Sequence, residues 1–276
     1  YSEHEEEVVG KSGGDLDLLC DVEGSPPPSI LWLKDGQLFD TSTIDHDTIE
    51  NDRILKLRNL EVSDSGIYSC ITSNSAGTAE FDFDINVQSP PSLTHSPITK
   101  RTVLVNRAVT LECPVEGTPH PDISWLINDR PLIGPSQYIR LTQAGRQLHL
   151  LRVLRGNNGT VSCIAKNSIG ELRLDYDLEV MTPPVIIPTP VSRRIKVQEG
   201  DLVQLSCHVE GYPKPQVAWV AGSGSLLTEK ELWAAGLEIT EGGETLTLLE
   251  VNGEHEGRYT CIASNAAGST EDSFIV

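Results

Sequence analysis

Cys20-Asp21-Val22-Glu23-Gly24-Ser25-Pro26-Pro27-Pro28-Ser29-Ile30-Leu31-Trp32 is a stretch that returns twice, as Cys113 to Trp125 and as Cys207 to Trp219. In each copy the tryptophan lies 12 residues after the cysteine, and Val-Glu-Gly with spaced prolines fills the interval. Proline fixes φ and supplies no N–H, so this interval reads as a turn between strands rather than part of a ladder. A second cysteine follows each tryptophan: Cys70, Cys163 and Cys261, at 50, 50 and 54 residues from the first. Six cysteines admit many connectivities, but one pair per repeat with a tryptophan between them selects Cys20–Cys70, Cys113–Cys163 and Cys207–Cys261.

Other positions repeat in step. Leu16 and Leu18, Val109 and Leu111, and Val203 and Leu205 alternate before each first cysteine, the period of a half-buried strand. Leu55, Leu57 and Leu60 match Leu148, Leu150 and Val153, then Leu246, Leu248 and Val251. Past each second cysteine, Asn74 and Gly77 match Asn167 and Gly170, then Asn265 and Gly268, which reads as a hairpin needing positive φ. The 276 residues divide into three repeats of about 92, with boundaries at 1–89, 90–182 and 183–276. Two short linkers, Val87-Gln88-Ser89-Pro90-Pro91 and Val180-Met181-Thr182-Pro183-Pro184, predict stiff joints and a rod on the order of 100 Å long.

The Cys…Trp…Cys spacing, the alternating strands and the corner Asp64-Ser65-Gly66-Ile67-Tyr68-Ser69-Cys70 resemble the immunoglobulin superfamily, as three tandem I-set domains spanning the whole chain. The resemblance implies an all-β fold of Greek-key sandwiches, a disulfide between the two sheets of each, and core tryptophans Trp32, Trp125 and Trp219 packed on the sulfurs. It also implies tyrosine corners at Tyr68 and Tyr259. In the second repeat Asn157 and Val161 replace the corner aspartate and tyrosine, and in the third His255 replaces the aspartate. A missing hydroxyl removes a hydrogen bond worth about 1 kcal/mol net, so the second corner is expected to be locally looser. Val-Glu-Gly-x-Pro-x-Pro, Trp32-Leu33-Lys34-Asp35-Gly36 and Ser264-Asn265-Ala266-Ala267-Gly268 are further similar to the hemicentins, a family of very long secreted matrix proteins. Peroxidasin, perlecan and neural adhesion receptors carry similar repeats. That likeness implies an adhesive segment at basement membranes, with a cell-surface adhesion or guidance receptor and an intracellular muscle scaffold of titin type as the alternatives.

All six cysteines belong to the repeat framework, which points to an oxidising, extracellular compartment. Asn158-Gly159-Thr160 is a glycosylation acceptor in a turn. The net charge of −19 argues against nucleic acid as a partner. No apolar run reaches membrane-spanning length, so no direct membrane insertion is expected. Tyr1 to Glu7 lack the basic and apolar regions of a secretory leader, and the chain reads as a segment of a longer protein. Charge is uneven, at −14, +2 and −7 across the three repeats. Arg140, Arg146, Arg152, Arg155 and Arg173 in the middle repeat are read either as solvated loop charge or as including a patch for an acidic partner such as a sulfated glycan.

The sequence carries no catalytic motif, and no cofactor or catalytic residue is expected. Gly10-Lys11-Ser12 lacks the leading glycine of a phosphate loop, the seven histidines never fall in a zinc spacing, and no Gly-x-Ser-x-Gly elbow exists. Asp40, Asp45, Asp47, Glu50 and Asp52 lack the twelve-residue calcium signature and read as a solvated edge. Arg155-Gly156-Asn157 has asparagine where an integrin tripeptide requires aspartate. Trp233 stands outside the repeat pattern, in the apolar stretch Leu226 to Leu237. Two readings are open for it: an extra edge strand with the indole packed on its own domain, or an anchor for a protein partner, other copies of the chain included.

Overall fold

A computed structural model describes residues 5–38, 45–132, 136–188, 192–222 and 224–276. It holds three cores, each a sandwich of two sheets. In the first domain Leu16–Leu19, Ile54–Leu57 and His46–Ile49 form a three-stranded sheet. It faces Glu5–Lys11, Gly77–Leu93, Gly66–Asn74, Ser29–Lys34 and Gln37–Leu38. The second domain repeats this with Val109–Glu112, Gln147–Leu150 and Ile139–Thr142 against the sheet built on Asp122–Ile127, Gly159–Lys166 and Glu171–Ile186. The third does so with Val203–Ser206, Thr245–Leu248 and Leu237–Thr240 against Gln216–Ala221, Arg258–Asn265 and Gly268–Ile275.

Register explains why tryptophan and cysteine recur together. Trp32 lies directly opposite Cys70, Trp125 opposite Cys163 and Trp219 opposite Cys261. Opposed residues point to the same face of a sheet, so indole and sulfur enter the core side by side. Disulfides join Cys20 to Cys70, Cys113 to Cys163 and Cys207 to Cys261, and no cysteine is free. The indole N–H then needs an acceptor, since an unpaired buried donor costs about 1–3 kcal/mol. Each finds a loop carbonyl: Asp52 at 2.8 Å, Gly145 at 2.7 Å and Gly243 at 2.8 Å.

A third core member escapes the sequence reading. Phe83, Tyr176 and Phe274 stand by the three indoles, with ring centroids 5.8, 6.4 and 5.8 Å away. Each lies 13 residues after its second cysteine, so the repeat offset itself was the available signal. The leucine trios are buried in all three copies. Alternation thus reports burial correctly, because successive side chains in a strand face opposite sides.

The Val-Glu-Gly interval departs from the reading as a turn outside the ladder. Val115–Thr118 and Val209–Tyr212 are strands. Their partners are the linkers: Val115 pairs with Leu93 and Thr118 with Ser89, while Ile186 pairs with Val209 and Thr182 with Tyr212. Prolines restrict only their own N–H, and the residues before them remain able to pair. The linkers themselves are strand throughout. Gly77–Leu93 runs from the end of one sandwich into the next, and Glu171–Ile186 does the same at the second joint.

Candidate interaction surfaces

The joints are built by a side chain whose role the sequence reading misplaced. Asn74, Asn167 and Asn265 do not adopt positive φ, and of the three glycines Gly268 does, at 152°, while Gly77 and Gly170 do not. The asparagine works through its side chain instead. Asn167 Oδ1 accepts from the amides of Ile169 and Gly170, closing the turn. Its Nδ2 donates to Pro119 O at 2.9 Å and across the joint to Ser89 O at 2.8 Å. Asn265 repeats this with Pro213 O and Thr182 O, at 2.8 and 2.9 Å. Gly117 is required where the linker crosses it: a methyl there would stand 3.3 Å from both Cα and N of Pro91. Asn74 donates to Pro26 O at 2.8 Å.

The corner before each second cysteine is more uniform than its sequence. Asp64 accepts from the Glu61 amide, Asn157 Oδ1 from the Leu154 amide and His255 Nδ1 from the Asn252 amide. Three residue types thus supply one acceptor. His255 adds a tie of its own, its Nε2 donating to Ala235 O at 2.7 Å. Tyr68 OH donates to Asp64 O and Tyr259 OH to His255 O. Burial raises the phenol pKa of both above the ordinary range. The second domain buries Val161 at this position and has no corner phenol; Tyr176, in the place of Phe83 and Phe274, donates its OH to Glu112 O outside the corner.

Trp233 does not pack on its own domain. Leu226 to Leu237 contains a short helix, Glu229–Ala234, where an extra edge strand was one expectation. A capping box signals it: the Thr228 amide and hydroxyl both donate to Glu231 Oε2 at 2.9 Å. That bonding holds the Glu231 carboxyl below its usual pKa. Leu232 packs on the domain core and pins the helix. Adjacent helical residues point about 100° apart, so Trp233 faces away and is 89% exposed.

The five arginines do not converge on one surface. Arg140 lies on the three-stranded sheet and Arg173 on the opposite one. Arg173 is bound to Asp129 and Asp175, each at 2.8 Å. Donating to Asp129 is the larger cause that raises the Arg173 pKa, and donating to Asp175 adds to it. Arg152 donates to Asn106 and covers the Tyr138 ring, 5.6 Å from its centroid, while Arg146 is half-buried with its carbonyl accepting from the Cys113 amide. Arg155 lines a groove at the second joint together with Asn158 and Lys214. Asn158 is exposed, and its Oδ1 accepts from the Val180 amide at 2.8 Å. Within the acidic stretch Asp40 lies outside the described residues, and Asp52 accepts from Thr48 Oγ1. Among the described residues no group of three or more His, Cys, Asp or Glu side chains is placed to hold a metal, and no helix is long and apolar enough to cross a membrane.

The family model described as immunoglobulin I-set domain matches residues 2–87 and 185–276, and one described as immunoglobulin domain matches 90–167. Hemicentin-1 of Mus musculus is 35% identical over 98% of the chain, and the chain spans 5% of that relative's length. Neuroglian of Drosophila melanogaster is 31% identical over 94% of the chain, which spans 19% of it. Among solved structures, the titin I-band fragment I67-I69 superposes with a TM-score of 0.72 at 23% identity, covering 100% of this chain and 96% of that one. This last likeness concerns the fold alone.

Proposed function

Because the chain belongs to the immunoglobulin I-set family, we propose that it is a non-enzymatic adhesive segment of a large secreted extracellular matrix protein, attaching cells or tissue to basement membrane. The observation that carries the extracellular reading is that all six cysteines are spent on disulfides within their own domains. Such bonds persist in oxidising compartments. Hemicentin-like sequence over nearly the whole chain supports the matrix assignment. Attachment needs a spacer and a contact surface. The strands that run through both joints make the first, and Trp233 offers an anchor of the second kind. The partner is a protein, either a matrix or cell-surface molecule or a second copy of this chain. Arg140, Arg146 and Arg152 on the second domain are a subsidiary contact for sulfated glycans, to be read as salt-sensitive retention on immobilised heparin.

Cell attachment to surfaces coated with the chain tests this reading. Trp233→Ala is expected to cut attachment severalfold with no change in melting temperature. Equal attachment by the variant and the parent chain contradicts the anchor. A cell-surface receptor is the second reading, favoured by the Neuroglian match. Biotinylation of intact cells expressing the natural gene separates the two, since a receptor is retained on the cell and a matrix protein is shed.

A further inference from the structure

The acceptor asparagine sits in the wall of the joint between the second and third domains. Arg155, Asn158 and Val180 on one side, and Glu210, Tyr212 and Lys214 on the other, line an open groove of about 640 Å³. That volume lies within the roughly 300–1,000 Å³ of clefts that hold small ligands. The Val180 amide holds Asn158 Oδ1, and among the described residues Nδ2, the atom that carries a glycan, has no hydrogen-bond partner. Gly159 fixes the turn at φ 121°, where a methyl would stand 2.2 Å from Asn128 Oδ1. The acceptor is therefore presented on a rigid corner rather than on a loose loop.

We propose that an N-linked glycan on Asn158 packs its stem into this groove and splints the second joint. The lining has the chemistry of a sugar site. A pyranose presents an apolar C–H face, which suits the half-exposed ring of Tyr212, while its hydroxyls and acetamide oxygen accept from Arg155 and Lys214 and a hydroxyl donates to Glu210. Attachment at Asn158 makes the encounter intramolecular, so weak contacts suffice for occupancy. The first joint supplies an internal control. Its matching residues are Val62, Ser65, Glu116, Thr118 and His120, and Ser65-Gly66-Ile67 accepts no glycan. One joint is thus splinted and the other is left to its asparagine clamp.

This inference rests on the extracellular reading above. The test uses the full chain secreted from mammalian cells, as Thr160→Ser, which keeps the acceptor, and Thr160→Ala, which removes it. Neither change touches the groove. The mass of the peptide containing Asn158 reports occupancy. Amide exchange reports the joints, through Tyr212, whose amide donates to Thr182 Oγ1, and Thr118, whose amide donates to Ser89 Oγ. Tyr212 is expected to exchange about fivefold more slowly in Thr160→Ser than in Thr160→Ala, with Thr118 the same in both. Trimming the glycan to its first sugar should retain most of that protection. Adding Tyr212→Ser should erase it at Ile187, whose amide donates to His208 O. An unmodified peptide, equal exchange at Tyr212, or equal slowing at both joints would overturn the proposal. A chain purified with free thiols would sink the extracellular reading as well, whereas an oxidised chain with an empty or inert Asn158 sinks this inference alone.

Discussion

Val22–Ser25 and Val115–Thr118 carry the same Val-Glu-Gly, yet only the second is a strand. In the second domain the incoming linker lies along it, and Pro91 is buried. In the first domain no strand pairs with this edge among the described residues, and a groove lined by Leu18, Val22, Cys70 and Phe81 lies beside it. This segment is a template, and its secondary structure is decided by whether the chain supplies a partner. The same holds for the asparagine of the turn. Asn74 serves only its own domain, while Asn167 clamps two.

The largest effect is expected from removing the clamp. Asn167→Ala deletes two Nδ2 bonds and two Oδ1 acceptances, so the second domain should lose about 2–3 kcal/mol in chemical denaturation. Asn74→Ala deletes one Nδ2 bond fewer and should cost the first domain about 1–2 kcal/mol. Equal losses would break the distinction. Gly117→Ala comes next. Its methyl meets linker backbone, which cannot swing aside, and about 1–2 kcal/mol is expected, with faster exchange at Thr118. Gly24→Ala meets only the Asn74 and Pro28 side chains and the Pro26 carbonyl, and is expected to stay within about 0.5–1 kcal/mol.

Smaller effects separate the corners. Tyr68→Phe should cost the first domain about 1 kcal/mol, and Tyr176→Phe should cost the second about as much, since each removes one phenol hydrogen bond to a backbone carbonyl. Amides at the second corner should exchange faster than those at the first, because Val161 offers the loop no hydrogen bond. Equal protection would show that the Asn157 acceptor alone suffices. The smallest effect is on alkaline stability. Burial raises the Tyr68, Tyr176 and Tyr259 pKa values, so the folded state favours the neutral phenol. The stability linked to them is whole below the ordinary tyrosine pKa near 10 and falls as pH rises above it. Ultraviolet titration should show three late phenols, one for each domain.

Much of this was legible because it is local and repeated. Cysteine, tryptophan and leucine spacings report strand register and burial, which depend on the period of the chain alone. The joints were not legible, because Asn167 acts on Ser89, 78 residues earlier and in another domain. The helix that carries Trp233 was missed despite Thr228 and Glu231, a capping pair that marks a helix start. The exposure of Trp233 follows from Leu232 taking the inward position, a fact of packing with no counterpart in composition. The choice between solvated charge and a shared patch for the five arginines stayed open in the sequence, because proximity along the chain hides which sheet each strand enters.

Each domain closes its own covalent bond between facing sheets, and the proposal of an oxidising compartment rests on those bonds. A peptide map of the native protein under non-reducing conditions, with free thiols alkylated first, tests this pairing most directly. The expected result is three crosslinked pairs, Cys20 with Cys70, Cys113 with Cys163 and Cys207 with Cys261, and no alkylated cysteine. Crosslinks between domains, or alkylation of all six, would contradict it.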